Sequence, residues 1–394
     1  MKRNRNLNIR EASLLLIMLS GLFYTHTSHA QGPPRTDQLK ITRILPATGI
    51  KDQNLTSTCW CFSGISMLES ELIRKGMGTY DLSEMYIVRH AYEAKAIKYV
   101  RMHGTVNFSP GGAFNDVTDM ISAWGIVPDE VYDGLRIGHE KHIHSEMDAV
   151  LKGYVREVLR NRNGELTPVW FDGFSGILDA YLGKDPESFE YKGQTYTPKS
   201  FAASLGLNMD DYVLLSSFSH HPFYEPFIIE IPDNWSWNQV YNLPLDELIG
   251  TIDHSLESGY TVAWGADESE KYFSRITGMA TVPAEGDEQE EITLDDEGNL
   301  HIARAIAEKK IDQEVRQQAF DNYRTTDDHG MHIIGKAKDN FGKEYYIVKN
   351  SWGTDSGPFG GYYYVSEAYV RYKTTDIMVH RDAIPSGLKQ KLGL

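Results

Sequence analysis

An α+β protein, helical in its first half and β-rich in its second, is predicted by three observations. Residues 59–75 repeat apolar side chains at helical spacing, residues 327–349 hold two β-rich runs around one turn signal, and the stretch 135–245 adds further helix-like patterns as a large insertion. A chain of 394 residues, 41% apolar and 24% charged, suffices for one large enzyme core with an insertion, or for two to three average domains.

The N-terminus reads as a cleavable export signal over residues 1–30. Lys2, Arg3, Arg5 and Arg10 make a basic start, "ASLLLIMLSGLFY" is an apolar run short for a membrane span, and "SHA" precedes Gln31 as a small-x-small cleavage pattern. No cysteine stands there to carry a lipid, so the mature chain is expected to be periplasmic or secreted, with no stable membrane anchor. The net charge is −16; losing four basic residues and one acid leaves 35 Lys and Arg against 54 Asp and Glu, or −19. A field of that sign repels nucleic acid and anionic membranes.

The only two cysteines, Cys59 and Cys61, flank Trp60, which leaves no disulfide framework; a bond between them would close a strained ring. From Thr58 the pattern Phe62, Ile65, Leu68, Leu72 predicts a helix that ends at Arg74-Lys75-Gly76, with the hydroxyls of "TST" as caps. A cysteine in the first turn feels unpaired N–H groups and the positive helix end, which is expected to lower its pKa. Positions i and i+2 lie about 200° apart on a helix, so only one of the two thiols faces a site. Gln53, six residues before Cys59, is placed to donate its amide to an oxyanion beside the Cys59 N–H, which selects Cys59 as nucleophile and leaves Cys61 in the core.

A thiol nucleophile needs a base and a group to orient it. Most of the fourteen histidines offer neither: "HEKHIH" at 139–144 does not match a zinc spacing, and His220-His221 before Pro222 reads as a surface turn. In "DDHGMHIIGKAKDNFGKEYYIVKNSWG", "DNFGKE" signals a hairpin. His329 and Met331 share one face of the first strand and His332 takes the other. The second strand delivers Asn350 opposite the start of the first, where its side-chain oxygen accepts from one imidazole nitrogen of His329 and leaves the other for Cys59. Trp352 is expected to cover that bond. The charged stretch 285–299 fits no calcium motif and reads as a solvated loop.

These residues resemble the papain-like cysteine peptidases: "Q…CW.FS" at 53–63, "LSE" at 82–84, "GG" at 111–112, His329 before a strand, and "NSWG…GGYY" at 350–363 follow that pattern in order. The resemblance implies a papain-like fold with a helical half and a β-barrel-like half, peptide substrates, no cofactor, no metal, and a substrate cleft involving Gly111, Gly112 and Trp352. Only 22 residues separate Gln31 from Gln53, which leaves no room for an inhibitory pro-segment, and 270 separate Cys59 from His329. A large insertion without a pro-segment is similar to the bleomycin hydrolase and aminopeptidase C branch, as is "VAWGADES" at 262–269; "HGM" stands where that branch has His-Ala-Met. That branch implies an aminopeptidase whose terminal carboxylate anchors the substrate's α-amine, and a homo-hexamer. Here 44 residues follow Asn350, a tail shorter than that arm.

The expected organisation is residues 1–30 as leader, 31–134 as a leading segment and helical half with Cys59, 135–245 as insertion, and 246–394 as the β-rich half with His329 and Asn350. The expected function is an exported Cys-His-Asn peptidase, with the aminopeptidase favoured. A papain-like endopeptidase with an open cleft, or a non-catalytic binding scaffold, is the alternative.

Overall fold

The computed structural model describes residue 33, residues 36–286 and residues 292–394. The leader at 1–30 lies outside the described residues.

The helix carrying both cysteines spans Cys59–Arg74, and every residue from Trp60 to Leu72 is buried. Burial all round marks an element sandwiched between layers. On one side lie the helices Glu84–Arg101 and Phe114–Trp124; on the other lies the main sheet, met at the strand His329–Asp339. The expected hydroxyl cap is missing: Thr58 occupies the cap position without a side-chain bond to the helix, its hydroxyl meeting that of Thr56 (2.6 Å), which also takes the Thr58 N–H (3.2 Å). The other end closes as expected. Gly76 has a φ of +72°, and the Gly76 and Met77 N–H groups return to Ile73 and Leu72 (3.0 and 2.9 Å).

The main sheet has eleven strands. Ten run in the order Pro226–Ile228, Gln239–Asn242, Tyr212–Ser216, Thr374–His380, Val262–Ala266, His329–Asp339, Glu344–Lys349, Tyr362–Ser366, Met279–Ala280 and Phe273–Ser274, and Leu39–Ile44 pairs to the side with His329–Asp339. The hairpin turn between His329–Asp339 and Glu344–Lys349 is where the sequence placed it, and the Asp339 carboxylate clasps it through the N–H groups of Phe341 and Lys343 (2.9 Å each).

Two expectations need correction. The stretch 135–245 is helical at Ser145–Leu159, Trp170–Tyr181 and Pro198–Ser204, but its last third is strand and belongs to the main sheet through the pairing of Tyr212–Ser216 with Thr374–His380. The run "YVLLS" is apolar without helical periodicity and is largely buried, as an interior strand requires. The charged stretch near 285–299 also contains more than a loop: Ile292–Leu294 pairs with Leu300–Ile302, burying Ile292, Leu300 and Ile302, and Asp295 holds the turn by accepting from Asn299 N–H (2.7 Å).

The chain ends in the helix Ser386–Leu392, which buries Leu388 and Leu392 in the core shared with the helix Leu245–Glu257. Lys391 pairs there with Glu247 (2.7 Å).

Candidate active site

A cavity of about 400 Å³ opens between the helical layer and the sheet, and Gln53, Cys59, Gly111, Gly112, His329 and Trp352 all line it. Asn350 stands directly behind His329. Each sequence-selected residue therefore converges on one place, from four separate segments.

The cysteine helix delivers Cys59 at its first position, partly exposed, and turns Cys61 into the core, where its Sγ meets the Glu84 carbonyl at 3.4 Å. The Cys59 N–H lies in the first turn, which has no intrahelical acceptor to give it. The lowered thiol pKa expected from the helix end is not found. Burial dominates and pushes Cys59 up to about 12, against the downward pull of the Gly330 and Trp60 backbone N–H groups.

His329 is buried, and its Nε2 lies 2.7 Å from Asn350 Oδ1. The Ser351 N–H donates to that same Oδ1 (2.8 Å), which identifies it as the oxygen. Nε2 must then carry the imidazole proton, and Nδ1 is left as the basic nitrogen. Trp352 stacks on the His329 ring, centroids 4.6 Å apart and planes at 21°, so it covers the bond as the sequence suggested. Burial lowers the His329 pKa to about 4, with the Asn350 bond pulling the other way. Burial thus opposes a lone thiolate and a lone imidazolium alike. Formed together, the two opposite charges offset each other, so proton transfer and charge creation are one event.

Gln53 is fixed from the Asn350 side of the site. Its N–H donates to the Ser351 carbonyl (2.8 Å) and its Oε1 accepts from the Ser351 hydroxyl (2.6 Å), which leaves the amide nitrogen for the cavity that Gln53 lines.

The two glycines of the opposite lip are steric necessities. A Cβ on Gly112 would stand 2.7 Å from the Asp116 carboxylate and 2.8 Å from the Trp60 ring; one on Gly111 would meet the Asp233 carboxylate at 1.9 Å. Trp60 ties this lip to the cysteine helix by donating Nε1–H to the Pro110 carbonyl (3.1 Å). Gly330, the departure from His-Ala-Met, has the same explanation. A methyl there would come within 2.8 Å of Ser63 Oγ and 3.1 Å of the Trp60 Cα, because strand and helix touch at backbone distance.

Sequence reasoning missed the cavity's acidic lining: Asp233, Glu268, Asp327, Asp328 and Asp376. The doublet just before His329 was a signal for two of them. Asp376 offered only its oddity as an acid in the apolar run "TTDIMVH", and Asp233 reaches the cavity from the insertion.

The histidines of "HEKHIH" form no metal-ligand group among the described residues; His220, His221 and Glu230 do cluster. Their hydrogen bonds argue against a metal. Gln317 Oε1 takes the Ser219 N–H (2.6 Å), so its amide nitrogen faces His220 Nδ1 (2.9 Å), and His220 must carry its proton on Nε2, toward Glu230 (3.1 Å).

The Peptidase C1-like family model matches residues 180–393, which include His329 and Asn350. Aminopeptidase E of Lactobacillus helveticus is 20% identical in an alignment covering 90% of this chain and 86% of that protein. Aminopeptidase G of Lactobacillus delbrueckii subsp. lactis is 19% identical, covering 87% and 84%. The crystal structure of PepW from Lactobacillus rhamnosis superposes with a TM-score of 0.64 at 17% identity, over 90% of this chain and 84% of that one.

Proposed function

Since the chain belongs to the Peptidase C1-like family, we propose that this cysteine peptidase is an exported aminopeptidase working through an acyl-enzyme on Cys59. The observation that carries the mechanism is the ordered pair of bonds at Asn350 Oδ1, which receives Ser351 N–H and His329 Nε2–H and so frees Nδ1 as a base.

His329 Nδ1 takes the Cys59 proton as the sulfur attacks the scissile carbonyl carbon. The oxygen that becomes negative lies between the Gln53 amide and the Cys59 N–H. His329 then returns the proton to the leaving nitrogen, the C–N bond breaks, and a thioester remains. Water, deprotonated by the same Nδ1, attacks the thioester; the acid leaves and Cys59 regains its proton.

Aminopeptidase action is supported by the names of the whole-length relatives, and export by the basic start, apolar run and "SHA" of the leader. Hydrolysis of two fluorogenic peptides identical except for a free or acetylated N-terminus tests the first, with Cys59→Ala as blank. Cleavage of the free-amine member alone is expected; equal cleavage of both means an endopeptidase, and cleavage of neither a binding scaffold. N-terminal sequencing of protein recovered outside the cytoplasm tests the second, and a chain that still begins at Met1 refutes it.

A further inference from the structure

The cavity is lined by more acids than its own cations can pair. Of its five acids Glu268 and Asp328 are committed and Asp233 is held by neutral donors, and Arg275 is the sole lysine or arginine in the lining among the described residues. Arg275 pairs with Glu268 at 2.9 Å and lies over the Trp352 ring at 3.8 Å. Asp328 is occupied by the N–H groups of Glu268 and Ser269 (2.7 and 3.3 Å).

Asp327 and Asp376 have almost nothing. They share one donor, the Thr375 hydroxyl, at 3.4 and 3.3 Å, beyond the length of a good hydroxyl bond. Neither side chain forms another hydrogen bond or an ion pair among the described residues. Asp376 is only 5% exposed, yet it lines the cavity, and it does so because position 265 is glycine: a Cβ there would stand 2.3 Å from Asp376 Oδ1. Asp233, held by Asn107 and Ser109 (3.2 Å each), adds a third carboxylate from the Gly111 lip. Burial raises the Asp327 carboxyl well above the usual range, and the charges of Asp233 and Asp376 raise it further. A buried acid, Asp376, sharing one weak donor with the half-buried Asp327 and paired with no cation, is a costly arrangement at the edge of the cavity.

We propose that Asp327 and Asp376, with Asp233 facing them, form a cation subsite that holds the substrate's free α-ammonium group. The proposal rests on the aminopeptidase reading and supplies the group that reading needs. The acids offered to the cavity are internal to the chain: Asp376 on the strand Thr374–His380 and Asp327 just before the strand that carries His329. Asp327, Asp376 and Asp233 line the same cavity as Cys59 and His329, which is where the amine two bonds from the scissile carbon must lie. One ammonium between the pair lets both acids ionise and gives three N–H donors to oxygens that now share a single hydroxyl.

The test compares a leucyl fluorophore amide, its N-acetyl form and an N-acetyl-arginyl-leucyl form on the full chain and on Asp376→Asn and Asp327→Asn. Each variant is expected to lower kcat/KM for the free amine by about 30-fold, mostly through KM, and to leave the residual rate on the acetyl-leucyl substrate, far lower in the unaltered protein, within about twofold. Equal loss on both overturns the proposal, as does no loss on the free amine. Loss confined to the acetyl-arginyl substrate assigns the subsite to a basic side chain and overturns the α-ammonium. Equal cleavage of free and acetylated substrates by the unaltered protein is a failure of the aminopeptidase reading, visible without any variant. Calorimetry on Cys59→Ala removes the dependence on turnover: leucinamide is expected to bind and N-acetyl-leucinamide not, with Asp376→Asn weakening leucinamide about 10-fold or more. Equal binding of the two amides, or of neither, overturns the subsite.

Discussion

His329 and His332 stand three residues apart on one strand, both buried, and face two polar chambers that differ in one respect. Behind the strand, His332 Nδ1 meets the Ser66 hydroxyl (2.9 Å), and Lys349 donates to Ser66 and Thr48 (2.7 and 3.0 Å). Thr48 in turn meets Glu69 (2.5 Å), while Lys51 pairs with Glu84 (2.7 Å) and Asp81 (2.6 Å). Acids and bases there find each other, and His332 Nε2 and Asn350 Nδ2 are among its few buried atoms without a partner. In front of the strand, a thiol, a basic nitrogen, an amide donor and two carboxylates face an open cavity with their partners outside the protein. Burial and polarity are common to both chambers. What separates a structural polar cluster from a reactive one is whether its hydrogen-bonding and charge requirements close on themselves.

The largest test of the difference is the pair of thiols. Cys59→Ala is expected to remove roughly 10⁴-fold or more of kcat, whereas Cys61→Ala keeps most activity and costs about 1–2 kcal/mol of stability as a small cavity in the core. Equal losses of turnover would erase the distinction between cleft and core. In the closed chamber the effect should fall on folding. Lys51→Met leaves Glu84 and Glu69 without their cation and is expected to lower stability by about 3 kcal/mol in urea titration, with kcat of the folded protein changed less than about threefold. Asn350→Ala, at the boundary, should cost about 10²-fold in kcat through loss of the His329 tautomer, with a smaller change in KM. A change confined to KM would remove Asn350 from the site's machinery.

The smallest expected effect has opposite signs in the two chambers. Burial holds the His332 pKa well below the usual imidazole value. Below about pH 6.5 the unfolded chain therefore binds a proton that the folded one refuses, and stability falls on acidification. Burial raises the Asp376 carboxyl to about 7. Between about pH 4 and 7 the folded chain keeps a proton that the unfolded one has released, so this contribution is lost as pH rises. Asp376→Asn should then raise stability at pH 8 by about 1–2 kcal/mol and leave it unchanged near pH 4, as read from melting curves. Stabilisation that is the same at both pH values would show that the side chain does not ionise in the fold.

Local chemistry made much of this legible. The i, i+2 relation separated Cys59 from Cys61, and the turn residues of "DNFGKE" fixed a hairpin whose register brings Asn350 to His329. Features set by distant pairing were not. The strand Tyr212–Ser216 owes its place to Thr374–His380, more than 150 residues away, and reads alone as an ambiguous apolar run. Asp376 reaches the cavity through space that Gly265, on the neighbouring strand, leaves free. The thiol pKa went wrong for a related reason. The helix end is visible in the sequence, while the desolvation of the partly exposed Cys59 is set by everything packed around it.

Trp352 lies between Arg275 at 3.8 Å and the His329 ring at 4.6 Å, one of seven tryptophans but the one in contact with that imidazole. An indole stacked on an imidazole loses emission when the ring becomes cationic, so the fold carries its own optical probe of the proton's position. Rapid mixing with a slowly hydrolysed substrate would dim the protein as thiolate and imidazolium form and brighten it as the thioester settles, which gives the order of events in a cuvette without a label.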